Sequence, residues 1–119
     1  MSGSNAWGRR RARRAALQAV YQWQMTAADA HAVEKEFQDS GALKKADDAF
    51  FSALLRGVMF GSDALDALFA PLLDRGVHEL DKVELALLRL GTYELKERID
   101  VRLEVVGSPE GSRTKIVLP

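Results

Sequence analysis

The stretch from Asp81 to Glu97 constrains the fold more than any other part of the chain. Asp81 and Glu84 stand three residues apart. At that spacing a capping carboxylate and one in the first helical turn each accept from the other's free amide. Behind them Val83, Leu85, Ala86, Leu87, Leu88, Leu90, Gly91, Tyr93 and Leu95 leave almost no polar face. A helix that is apolar nearly all round must be covered on several sides. The segment therefore predicts a helix at the centre of a helical bundle.

The preceding residues supply the neighbours. Ala6–Met25 holds no proline and no glycine beyond Gly8, and Ala12, Ala16, Ala19, Val20 and Trp23 share one face at helical spacing. Ser4 or Asn5 is a candidate cap for this helix. Val33 and Phe37 predict a short second helix over Ala30–Asp39, broken by Ser40-Gly41. Asp47 is placed to cap a third, over Asp48–Phe60, with Phe51, Leu54, Leu55 and Val58 as its stripe. Gly57 inside that stripe is unfavourable by about 1 kcal/mol against alanine, which points to a close helix crossing. Gly61-Ser62 starts a further element bearing Leu65, Leu68, Phe69 and Leu72, which Pro71 should bend or end. Gly76 reads as a stop. After residue 98 the pattern turns to period two, with Ile99, Val101, Leu103 and Val105 alternating with Asp100, Arg102 and Glu104. No useful helix is predicted there, and residues 107–112 are a breaker cluster. The fold class is all-α.

Composition excludes several functions. The 119 residues contain no cysteine, so disulfide frameworks, thiol nucleophiles and cysteine zinc sites are out, in keeping with a cytoplasmic protein. No apolar run approaches the ~18 residues that cross a bilayer, and no secretory signal is visible, so no membrane role is expected. His31 and His78 are isolated, and Asp47, Asp48, Asp63 and Asp66 read as helix starts or solvated faces. Without a phosphate-binding glycine loop, nucleophile elbow or metal signature, neither an enzyme nor a cofactor is predicted.

Charge is more informative. The formal net charge of zero is a cancellation: residues 1–25 hold five arginines and no acid, while residues 26–119 hold 12 basic and 17 acidic groups. The arginines form the run Arg9-Arg10-Arg11-Ala12-Arg13-Arg14. On a helix Arg10, Arg14, Gln18 and Tyr21 fall in one stripe at steps of four, four and three, with Arg9 and Arg13 flanking it. Guanidinium forks bind phosphate oxygens through paired donors, and an aromatic at the end of such a stripe offers a face for an unpaired base. Arginines at a helix N-terminus oppose the helix dipole, so their concentration there calls for an anionic partner. The alternative is a solvated helix start. Trp23 belongs to the core face; Trp7 precedes the arginines on the exposed side.

These residues resemble a known family. Arg9–Arg13 leading into Ala16-Leu17-Gln18-Ala19-Val20-Tyr21-Gln22-Trp23-Gln24 is similar to the opening of the NusB family of bacterial transcription antitermination factors. The F-x-x-L-L-x-G-V pattern of Phe51–Val58 is similar to its middle. Leu80–Glu84, Leu88–Leu95 and Arg98-x-Asp100-Val101 are similar to its most recognisable stretch. The resemblance covers residues 9–101 and implies a NusB-like helical bundle of two small subdomains. It implies binding of single-stranded boxA RNA from ribosomal RNA operons, jointly with NusE, a small-subunit ribosomal protein, within the RNA polymerase antitermination complex. It places RNA-binding roles on Arg9, Arg10, Arg13 and Tyr21. Arg14 is added by helical geometry alone, and Arg11 is not assigned.

The resemblance also implies a departure. After Asp100-Val101 the family has a proline and two further helices, whereas this chain has Arg102 and then Leu103–Val106. Residues 1–101 are thus expected to form a NusB-like RNA-binding domain with its second subdomain incomplete, and 102–119 a divergent, poorly structured tail. A frame change or early stop in the coding sequence would give such a join, and predicts an amphipathic continuation in another frame of the downstream DNA. An uncovered apolar helix 81–97 would favour association, with a homodimer as one form. Two alternatives stand beside the main reading: the RNA-binding part of a ribosomal RNA methyltransferase, and a self-association module with no RNA role.

Overall fold

A computed structural model describes the backbone of residues 2–106 and the side chains of residues 6–97. Four α-helices and two short 3-10 turns account for its regular structure: α1 (Ser2–Thr26), α2 (Ala30–Asp39), α3 (Asp48–Phe69), the turns Ala70–Leu72 and Val77–Glu79, and α4 (Lys82–Val106). No strand occurs among the described residues, so the chain is all-α.

The helix starts follow the expected chemistry. Asp29 accepts from the Ala32 amide at 3.1 Å to begin α2, and Asp47 accepts from the Phe50 amide at 3.0 Å to begin α3. At α4, Asp81 accepts from the Glu84 amide at 2.8 Å while Glu84 accepts from the Asp81 amide at 3.2 Å. That is the reciprocal cap read from the sequence. α2 stops at Gly41, whose φ of +84° suits a residue without a Cβ. α1 begins at Ser2, so Ser4 and Asn5 lie inside it rather than before it; their side chains fall outside the described ones.

α3 unites two expected elements. Gly61, at φ −126° and ψ 21°, departs from helical geometry, yet the helix resumes beyond it to Phe69. Pro71 then sits in the 3-10 turn that follows, where its missing amide is tolerated.

The core lies where α1, α2, α3 and α4 meet. α1 contributes Ala12, Ala15, Ala16, Ala19 and Val20, all buried, and their small size lets its backbone lie close to α3 and α4. Phe37 of α2 and Phe51 of α3 stack with ring centroids 6.0 Å apart. Gly57 is the close crossing that the sequence predicted: a Cβ there would overlap the Tyr93 ring of α4. A second, smaller apolar cluster joins Phe69, Leu80 and Leu85.

Two ion-pair networks tie the helices. Glu34 of α2, only 4% exposed, accepts from Arg56 Nε at 2.9 Å, Arg56 Nη2 at 3.0 Å and the Ser52 hydroxyl at 2.8 Å. The hydrogen bond from Arg56 is the main reason its carboxyl ionises below the usual range, against the opposing effect of burial. Arg89 of α4 donates to Asp66 of α3 at 2.9 and 2.7 Å and to Gln24 of α1 at 3.1 Å. Asp66 is thus an interhelical partner, not the solvated residue its spacing suggested.

Two further expectations need correction. α4 is not central: Leu85, Ala86 and Leu90 are buried, but Val83 is 47% and Leu87 53% exposed. Among the described residues it packs on α1 and α3 and leaves its Val83–Leu87–Gly91 edge open. The α4 backbone also runs to Val106, past the expected stop near residue 97. The period-two pattern misled because Leu95, Ile99 and Leu103 also recur every four residues, and no glycine or proline intervenes before Gly107. Residues 107–119 lie outside the described residues.

Candidate RNA-binding face

α1 carries all five assigned residues. Its alanine face is buried, so the opposite face must look outward, and Arg10, Arg14 and Tyr21 lie on it. Tyr21 is 38% exposed. It borders a shallow apolar hollow whose walls include Leu17, Gln18, Met25 and Val83, so there is open ground beside the ring. Neither Arg10 nor Arg14 forms an ion pair with a described carboxylate. Arg10 packs its guanidinium 5.0 Å from the ring of Trp7, which is 60% exposed.

The flanking pair behaves differently. Arg9 and Arg13 share the Phe50 ring of α3, their guanidinium carbons 5.0 and 5.2 Å from its centroid. Arg13 also donates from Nε and Nη2 to the two carboxylate oxygens of Glu94 on α4, at 2.9 and 3.0 Å. The five residues therefore form two rows, an outer one of Arg10, Arg14 and Tyr21 and an inner one of Arg9 and Arg13. Arg11 is exposed on the other flank.

Sequence reasoning missed Phe50 and Glu94. A signal for Glu94 existed: it follows Ala86 and Leu90 at steps of four, and an acid in a core register calls for a cation. Phe50 gave none, since it sits one residue before the apolar stripe of α3. The histidines are both exposed; the His31 ring lies 6.2 Å from that of Phe60. Among the described residues, no cluster of histidine and carboxylate side chains is placed to hold a metal ion. No described helix is long and apolar enough to cross a membrane.

Comparison with known proteins decides the family, since the NusB family model matches residues 10–106. This chain belongs to the NusB family. Transcription antitermination proteins named NusB from Alteromonas mediterranea, Stenotrophomonas maltophilia and Aeromonas salmonicida are 49%, 45% and 47% identical to it, each over 98 residues. The match takes in 82% of this chain and 70%, 62% and 72% of those relatives respectively. The NusB-family chain thus spans about two thirds of the length of the relatives it matches. The matched region takes in Arg10, Arg13, Arg14 and Tyr21 of the arginine-bearing helix, and the whole of α2, α3 and α4.

Proposed function

We propose that this chain is an RNA-binding transcription antitermination factor. It binds single-stranded boxA leader RNA of ribosomal RNA operons together with NusE, in the antitermination complex of RNA polymerase in the cytoplasm. The observation that carries this reading is the outer row: two exposed guanidiniums that form no ion pair with a described carboxylate, and a half-open tyrosine, in line on one helix. No chemical step is involved. Arg10 and Arg14 meet successive phosphates, four residues of helix advancing about 6 Å between them. Arg9 and Arg13 extend the positive ground inward. Tyr21 takes a base against its ring, and the hollow beside it leaves space for that base. NusE adds surface and sequence discrimination.

The test is a titration of labelled boxA RNA with and without NusE. Wild type is compared with the triple variant Arg10→Ala/Arg14→Ala/Tyr21→Ala. With three to five phosphates engaged, log affinity should fall with log salt at a slope of about −2 to −3.5. The triple variant should bind at least ten times more weakly, with a slope shallower by about 1.4 for two lost contacts. Equal binding by the two proteins, or an affinity indifferent to salt, refutes the assignment.

A further inference from the structure

The geometry points to Glu94 as a latch on the RNA-binding face: its carboxylate occupies the paired donors of Arg13 that a phosphate would take. Arg13 of the inner row then becomes available only by exchange. This rests on the RNA-binding reading above and adds to it a residue that governs selectivity.

The geometry of the pair carries the inference. Arg13 presents one edge of its guanidinium, Nε and Nη2, to both oxygens of Glu94 at 2.9 and 3.0 Å. Two oxygens of a phosphate need that same edge and those same distances. The Phe50 ring, 5.2 Å from the guanidinium carbon, fixes the plane of the group whichever anion it holds. The other four arginines of α1 make no ion pair with a described carboxylate, so Arg13 alone is engaged in this way.

The pair is also weak enough to exchange. Its side chains are 43% and 21% exposed, and ion pairs in contact with water are worth little. A strand already anchored on Arg10 and Arg14 holds its next phosphate near Arg13 at high effective concentration. A stray anion has no such advantage. Glu94 thus makes the inner contact conditional on the outer ones and disfavours short or poorly registered polyanions.

The experiment compares wild type, Glu94→Gln, Arg13→Ala and the double variant, each titrated with the same labelled single-stranded RNA over a range of salt. Glu94→Gln should bind about two- to fivefold more tightly at low salt. Its salt slope should match that of wild type, because both bound states meet the same phosphates. The double variant should gain nothing over Arg13→Ala. An unchanged or weaker affinity in Glu94→Gln overturns the latch, as does a gain that persists without Arg13, which would reflect net charge alone. If wild type binds as proposed and Glu94→Gln matches it, the latch falls and the RNA reading stands; if neither binds, both fall. Should Glu94→Gln melt below the assay temperature, wild type decides by NMR. The Arg13 Nε–H signal shifts on RNA addition if that edge changes partner, and a stationary signal overturns the proposal.

Discussion

Replacing Gly57 by alanine puts two effects of opposite sign at one position. In an ordinary helix interior the change is favourable by about 1 kcal/mol, because alanine loses less backbone freedom on folding. Here the new methyl would overlap the ring of Tyr93 across the α3–α4 crossing. Tyr93 is itself half-buried against the core, so its ring has little room to retreat. Overpacking of this kind costs about 1–3 kcal/mol, and a ring-on-methyl overlap belongs at the upper end. The steric cost wins, and Gly57→Ala should destabilise by about 1–2 kcal/mol net. At about 4–8 °C per kcal/mol for a domain of this size, thermal melting followed by circular dichroism will resolve it. The decisive comparison is the same substitution in a Tyr93→Ala background. With the ring gone only the propensity gain remains, so Gly57→Ala should become neutral or stabilising there. A stabilising Gly57→Ala in the wild-type background, or equal effects in both, would show that the crossing is not the reason for the glycine.

Other outcomes follow from the two ion-pair networks and from the open edge of α4. Arg89→Leu leaves the Asp66 carboxylate without its fork and Gln24 without a donor, and should cost about 2–3 kcal/mol in urea unfolding; a loss under 0.5 kcal/mol (roughly the neutral range for surface changes) would contradict the packing described. Arg56 foremost, and Ser52 after it, hold the Glu34 carboxyl below its ordinary range, so its contribution is present above about pH 4.3 and is lost as pH falls through the lowered native value. The stability difference between wild type and Glu34→Gln should therefore shrink toward zero on acidification, and a gap independent of pH would refute the coupling. Leu87→Glu, at an exposed apolar site, should leave the melting temperature within a few degrees and reduce self-association in sedimentation velocity. An unchanged concentration dependence, or a wild type that stays monomeric, would show that this edge does not drive association.

Much of this fold was legible in the sequence because its signals were local. Asp47, Asp81 and Glu84 are caps whose donors lie within three residues, and Gly57 betrayed the crossing by standing where a glycine has no local reason to be. What escaped depends on residues far apart in the chain. Asp66 and Arg89 are separated by 23 positions, Arg13 and Glu94 by 81; the register of Glu94 calls for a cation, but nothing local names which residue supplies it. The extent of α4 was misjudged because alternation and helical recurrence coincide over its last residues. The outer row of the candidate site could be read from spacing alone, since one helix carries all of it. What the flanking Arg9 and Arg13 engage could not, because Phe50 and Glu94 come from two other helices.

The seam of alanines beneath α1 has a kinetic consequence. Because nothing larger than a methyl separates much of that helix from the helices below, the charged side chains above it stand on a closely packed floor. A disordered basic tail of equal charge would have to surrender its freedom when it met a polyanion. Here that ordering is complete before the encounter, so capture should be quick and governed by long-range attraction. Changes that enlarge Ala15 or Ala16 would then slow recognition without touching a single charge.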